Sequence, residues 1–201
     1  MTHPVQLRSR LDVRDLITVG VLAAVALVIS VIVGVASATT VIGAFFYTAV
    51  AAFFVSIVFL LAAVRIRKTG TLFLMGTIVS LPGLTTGNIV GVAACAVGWL
   101  LADVIAGHYT HRARIVVAYV AGSTFQFTGY TLPLFLSAGE HLTTRNGTYR
   151  LSDEAIQEYL SYVTWPVFVG ATLLTAVLSA AGALLSARVI RKHFRKAGLV
   201  R

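Results

Sequence analysis

Long apolar runs separated by short polar or basic stretches dominate the pattern along this chain. The first run covers residues 15–34, and at about 1.5 Å per residue it is long enough to cross a hydrocarbon core of roughly 30 Å as a helix. The pattern therefore predicts an all-α integral membrane protein with six transmembrane helices in a single membrane domain, 1–201. The predicted spans are 15–34, 41–64, 71–84, 89–106, 115–138 and 165–187.

Two of these runs depart from a clean apolar span. The third is broken by Pro82-Gly83, beside the polar stretch 85–88, and the fifth carries Ser123, Gln126 and Tyr130 at positions that share one helical face. Interrupted segments point to binding sites in transporters, because the freed backbone groups can line a cavity.

The loop 139–164 contains a predicted short amphipathic helix. Ser152 is suited to the N-cap, acidic residues follow it, and apolar residues then recur at helical spacing from Ile156 to Val163. Two interpretations remain open for this helix. It is either a lid over the outer mouth of the bundle or an interfacial helix that seats the sixth span.

The composition supports the membrane assignment, and the charge pattern predicts the orientation. Hydrophobic residues make up 58% of the chain and the mean hydropathy is +0.89, which excludes an ordinary soluble domain. All of the 16 lysines and arginines except Arg145 and Arg150 lie in the chain ends and in the connections 65–68 and 108–114. The positive-inside rule therefore predicts a multi-pass membrane protein with both termini in the cytoplasm, and not a nucleic-acid-binding protein.

Signatures of enzymes are absent from the sequence. It has no P-loop, HExxH or GxSxG motif, and the single cysteine, Cys95, excludes an intrachain disulfide and a cysteine-based metal site. No catalytic residue, metal or cofactor is predicted. Asp103, at the end of the fourth span, is expected to form an ion pair with His108 and Arg112 instead of acting as a proton relay.

Uncharged polar and aromatic residues collect toward the predicted outer half of the spans, which suits a flat heterocyclic ligand. Gln126 either binds a ligand or ties two helices together, since a buried amide needs partners. Tyr47 and Trp165 either contact the ligand or belong to the interfacial aromatic belt. The candidate substrate-binding residues are Tyr47, Thr86, Asn88, Gln126, Tyr130 and Trp165.

Small residues recur at spacings of four in the first span, as in Gly20-x-x-x-Ala24 and Ala26-x-x-x-Ser30. Such a pattern lets another helix approach the backbone closely in lipid. It either docks a separate protein or packs within this chain. The candidate docking residues are Gly20, Ala23, Ala24 and Ala26.

Three stretches carry a resemblance to a known family: the opening DLITVGVLAAV, the turn RIRKTGTLFLMG and the break LPGLTTGNIVG. They resemble the Trep_Strep family of bacterial membrane proteins, which are regarded as substrate-binding S components of energy-coupling factor (ECF) transporters. The resemblance implies a vitamin-like ligand in an outer pocket and docking on a transmembrane coupling protein that carries two cytoplasmic ATPases. It also implies a docking pattern Ala-x-x-x-Ala on the first helix, where Gly20 replaces the first alanine.

The residues themselves leave other functions open. A stand-alone facilitator or secondary transporter of a small organic solute is the main alternative, although the two halves show no internal repeat. The third possible function is that of an intramembrane enzyme or a structural membrane protein. The substrate class is also open, because a tetrapyrrole bound through His141 or Tyr149 would fit the outer loop as well as a vitamin, although a lone loop histidine is more typically solvated.

Overall fold

A computed structural model of the chain describes residues 11–37, 39–85, 87–137 and 152–194. These residues form helices and turns and contain no β-strand, which confirms the all-α prediction. The helices are α1 Val13–Ser37, α2 Val41–Ile66, α3 Thr71–Ser80, α4 Pro82–Thr85, α5 Ile89–Ala106, α6 Arg112–Leu136, α7 Asp153–Ser161 and α8 Trp165–Val189, which continues as a π-helical turn, Ile190–Phe194.

Within the described residues, four helical segments are long and apolar enough to cross a membrane: Val13–Ser37, Phe45–Ile66, Ile89–Ala106 and Trp165–Lys192. The apolar segment Thr71–Thr85 is shorter, and α6 has 25 residues but a more polar composition. A helix occupies each predicted interval. The number of six crossings and the cytoplasmic position of both termini stay predictions.

The long helices and α3 pack side by side in the order α1, α2, α8, α6, α5, α3, and α3 returns to α1. The membrane-length helices and α3 alternate in direction along the chain, so that α2 and α8 lie parallel to each other in the bundle and the bundle has two distinct ends. The end that holds the first turn of α1 and the last turn of α8 carries the basic connections and is called the basic end here. The opposite end carries α4 and α7 and is called the aromatic end.

Trp99 on α5 lies at the centre of the bundle and is only 1% exposed. Its ring stacks on Phe59, with 4.8 Å between the ring centroids. Two glycines make room for it, because a Cβ atom would lie 2.0 Å from the indole at Gly76 and 2.5 Å from it at Gly122. Close approach of α3 and α6 to α5 therefore depends on these glycines.

Small residues also set the contact between α2 and α8. A Cβ atom at Gly182 would lie 2.4 Å from the carbonyl oxygen of Phe53, and the hydroxyls of Ser56 and Ser186 are 2.8 Å apart. In lipid, helix association relies on such close packing and on interhelical hydrogen bonds.

At the basic end, the connection between α2 and α3 is tied to α1. Asp12 and Asp15 cap α1 reciprocally, since Asp12 Oδ1 accepts a hydrogen bond from the Asp15 amide at 2.9 Å and Asp15 Oδ2 accepts one from the Asp12 amide at 3.0 Å. Lys68 forms ion pairs with Asp15 and, at 3.4 Å, with Asp12. The bond to Asp15 raises the pKa of Lys68, whereas the Asp15 amide and then Lys68 lower the pKa of Asp12.

Asp103 lies at the same end but does not form the expected ion pair. Its buried carboxylate accepts hydrogen bonds from the amides of Gly70 at 2.7 Å and Leu72 at 3.1 Å, and one from the Tyr109 hydroxyl. The physical reason is that α3 begins at Thr71, where unpaired amides and the helix dipole favour an anion. Burial, reinforced by Asp103, raises the pKa of Tyr109, so its hydroxyl stays a donor.

Candidate ligand-binding site at the aromatic end

The candidate substrate-binding residues fall into two groups in the structure. Asn88, Gln126 and Tyr130 lie where α5 packs on α6, and their side chains form hydrogen bonds within the bundle. Tyr47 on α2 and Trp165 on α8 are more exposed, at 36% and 55%. Thr86, His141 and Tyr149 lie outside the described residues.

Asn88 is the N-cap of α5 and is buried. Its side-chain oxygen accepts a hydrogen bond from the Gly91 amide at 3.0 Å, and its Nδ2 donates to the carbonyl oxygen of Tyr130 at 3.3 Å. Asparagine is among the preferred residues at this position, because its oxygen satisfies an amide that the helix leaves unpaired. Asn88 therefore starts α5 and fastens it to α6.

Tyr130 fills the break that follows α3. Its hydroxyl donates a hydrogen bond to the carbonyl oxygen of Ser80, the last residue of α3. A Cβ atom at Gly83 would lie only 2.3 Å from that hydroxyl. The interruption at Pro82-Gly83 thus receives the tyrosine ring.

Gln126 joins α6 to α5. Its side-chain oxygen accepts a hydrogen bond from the indole Nε1 of Trp99 at 2.9 Å, and its backbone oxygen accepts one from the Cys95 thiol at 3.5 Å. Gln126 therefore ties α6 to α5, which is one of the two roles that the sequence leaves open for this residue. A ligand contact by Gln126 stays a prediction.

An aromatic cluster stands at the aromatic end, where α2, α6, α7 and α8 meet. The ring centroids are 5.9 Å apart for Phe45 and Phe135, 4.9 Å for Phe135 and Phe168, 5.7 Å for Trp165 and Phe168, and 5.5 Å for Phe45 and Tyr159. The sequence analysis singled out Trp165 but not the phenylalanines as a group, because phenylalanine in an apolar run gives no sign of its partners.

The predicted amphipathic helix is present as α7 and covers this aromatic cluster. The Ser152 hydroxyl accepts a hydrogen bond from the Ala155 amide at 3.2 Å, and Asp153 and Glu154 occupy the first turn. Ile156 is 6% exposed and packs into the cluster, whereas the acidic face of α7 is exposed. Whether α7 opens as a lid or only seats α8 stays a prediction.

The candidate docking residues of α1 divide between two faces. Ala23 and Ala26 are fully buried within the bundle, so their small size serves packing in this chain. Gly20 and Ala24 are exposed, and a Cβ atom at Gly20 would meet nothing within 4 Å. The spacing of four identified small residues, but it did not separate the buried face from the outward one.

A protein-family model described as a hypothetical bacterial integral membrane protein, Trep_Strep, matches residues 13–196. The chain belongs to the Trep_Strep family. No curated protein and no solved structure matches the sequence.

The match runs from the first turn of α1 beyond the π-helical turn after α8, so the whole described helix bundle lies within the Trep_Strep region. The family description and the apolar helices together establish this Trep_Strep protein as a multi-pass bacterial membrane protein. The aromatic cluster, α7 and the outward face of α1 all belong to the family portion.

Proposed function

We propose that this Trep_Strep protein is the substrate-binding S component of an ATP-driven ECF-type importer, which captures a vitamin-like or other small organic micronutrient at the outer face. The aromatic cluster beneath α7 is the observation that carries the proposal. It combines a covering amphipathic helix with a half-exposed indole at the end of the bundle opposite the basic connections.

A flat heterocycle suits this site because aromatic rings bind such ligands by stacking and by edge-to-face contacts. Trp165 retains exposed surface for this purpose, and Tyr47, whose ring lies beside Gly34 of α1, stays a candidate contact. Asn88, Gln126 and Tyr130 support the site from below, since their hydrogen bonds hold α5 and α6 in place. Thr86, outside the described residues, stays a candidate contact.

The partner in this proposal is a transmembrane coupling protein with two cytoplasmic ATPases. Gly20 and Ala24 on α1 are the docking residues, because they present small side chains on an exposed face of a helix at the edge of the bundle. Ala23 and Ala26 contribute indirectly by seating α1 on the rest of the chain.

Gentle purification of the tagged chain from its own host, followed by mass spectrometry of proteins and small molecules, tests the proposal. We expect a coupling protein, two ATPases and a bound heterocyclic compound to co-elute. If the chain elutes alone and transports solute by itself in proteoliposomes, the stand-alone facilitator is correct instead.

A pair of leucine substitutions separates docking from ligand binding. Gly20→Leu and Ala24→Leu should abolish ATP-driven uptake while ligand binding to the purified chain stays unchanged, because both positions face outward. Gly170→Leu on α8 is the matched control, since a Cβ atom there also meets nothing within 4 Å. Unchanged uptake in the α1 variants would refute the docking assignment.

A further inference from the structure

A narrow apolar groove opens at the basic end between α2, α6 and α8. It is a shallow groove with a volume of only about 10 Å³, so it offers an apolar surface to a neighbouring molecule and no room to enclose a heterocyclic ligand. Arg112, the first residue of α6, completes the lining. The apolar walls are formed by Leu60, Val64, Ile115, Val116, Ala187 and Ile190.

The positive charge at this groove is not neutralised by nearby acids. Arg112 is exposed and forms no ion pair with any acidic side chain in the described part of the chain. Asp103 is engaged by α3 amides and Tyr109, and the two aspartates of the α1 cap are engaged by Lys68.

Further arginines border the groove on α8. Arg188 and Arg191 are exposed, and each directly follows a residue of the groove wall, Ala187 and Ile190 respectively. The helix changes from α to π geometry at Ile190, directly before Arg191. The last turns of α2 and α8 also end membrane-crossing segments, so the groove stands at the level of lipid headgroups.

We propose that this groove is a binding site for an anionic phospholipid. The lipid phosphate contacts Arg112 and Arg191, whose planar guanidinium groups match phosphate oxygens, and the upper part of an acyl chain lies against the apolar walls. Basic pockets between membrane helices bind anionic headgroups in this way. The site lies at the opposite end from the aromatic cluster and does not depend on the importer function.

Lipid titration of the delipidated full chain in detergent, followed by native mass spectrometry, tests the site. Phosphatidylglycerol should bind, whereas phosphatidylcholine with the same acyl chains should not. Arg112→Gln and Arg191→Gln should each weaken phosphatidylglycerol binding by about fivefold, and the double variant by roughly 25-fold. Arg14→Gln is the matched control, because Arg14 is an exposed arginine at the basic end on α1, which does not line the groove.

A second variant tests the apolar part of the site. Ala187→Phe should fill the groove and weaken phosphatidylglycerol binding with every charge retained. Glycerol phosphate, which is the headgroup without acyl chains, should not displace the bound lipid. The proposal is overturned if both lipids bind equally, if Arg14→Gln weakens binding as much as Arg112→Gln, or if glycerol phosphate competes, which would indicate a site for free phosphate.

Discussion

At the scale of single residues, Trp99 shows how glycines permit the packing of a large side chain in a membrane bundle. The indole needs three surfaces at once: the ring of Phe59, the backbone at Gly76 and the backbone at Gly122. Its N–H would be unpaired in an apolar core, and Gln126 supplies the acceptor. The polar side chain of Gln126 in the apolar helix α6 therefore serves to pair the indole N–H of Trp99 on α5.

Replacing Gly76 with alanine should destabilise the protein by about 1–3 kcal/mol, because the new Cβ atom falls 2.0 Å from the indole ring and overpacks the core. Equilibrium unfolding in detergent measures the change. Gly170→Ala is the control and should be neutral or stabilising by about 0.5–1 kcal/mol, since alanine favours a helix over glycine and has open space there. Equal effects at the two glycines would contradict this packing.

Sequence reasoning reached some residues and missed others for a physical reason. Ser152 was predicted as an N-cap, because caps depend on local backbone amides, whereas Asn88 was predicted only as a substrate contact and is the N-cap of α5. The partners of Asp103 were predicted wrongly, because two of the three are amides more than 30 residues away, which have no sequence signature. The same holds for the Trp99–Gln126 pair, which depends on the register between two helices.

At the scale of elements, α1 has one buried stripe and a broad exposed surface. Its buried residues, Val19, Ala23 and Ala26, recur at helical spacing, and the apolar side chains outside this stripe face the surroundings of the bundle. The apolar run predicts a span correctly, but it carries almost no polar residue to mark which face turns inward. The sequence therefore predicts where along the chain α1 lies, but not which of its faces turns toward the rest of the bundle.

The two faces of α1 should respond differently to the same substitution. Ala23→Leu and Ala26→Leu should each destabilise the fold by about 1–3 kcal/mol, because these positions have no free space, whereas Ala24→Leu should leave stability unchanged. Thermal unfolding of the purified variants distinguishes them. A loss of stability in Ala24→Leu equal to that in Ala23→Leu would show that α1 is rotated differently.

The cap of α1 should make stability sensitive to acid. The folded-state pKa of Asp12 lies below its ordinary value of 3.8. Its contribution to the stability of the fold is therefore present above pH 3.8 and is lost as the pH falls through the lowered pKa. The pKa of Lys68 is raised above 10.5, so the stability that Lys68 contributes to the fold is lost only as the pH rises through this raised pKa. Both groups therefore support the fold near neutral pH.

Asp12→Asn tests this dependence, because asparagine also caps helices but does not titrate. Thermal unfolding between about pH 6 and pH 2 should show wild type losing its advantage over Asp12→Asn as the pH falls below the ordinary carboxyl range. Glu158→Gln, an exposed acid of α7, is the control. A constant difference between wild type and Asp12→Asn across this range would rule out the titration of Asp12 as the cause.

At the scale of the whole molecule, the two ends of the bundle differ in chemistry. The basic end contains the α1 cap, the hydrogen bonds between Asp103 and the start of α3, and the apolar groove beside Arg112. The aromatic end contains the Asn88 cap and the aromatic cluster beneath α7. The charge pattern of the sequence anticipated this polarity. The order in which the helices pack around the bundle had no equivalent signal, because it depends on contacts among distant glycines and serines.

The membrane orientation can be measured with a thiol reagent that does not cross membranes. Cys95 is buried and leaves little background, so single cysteines at exposed positions report their own side. Ser161→Cys on α7 should react in intact cells, and Arg65→Cys at the basic end should react only after the membrane is opened. The reverse result would place both termini outside.

The unequal placement of the only two tryptophans has a spectroscopic consequence. Trp99 is sealed in the core at 1% exposure and Trp165 is 55% exposed beside α7, so their fluorescence should differ in colour and in access to a soluble quencher. A compound that enters beneath α7 should shift the emission of Trp165 and leave that of Trp99 unchanged. Trp165 therefore reports whether the site beneath α7 is occupied, and Trp99 serves as an internal standard in the same molecule.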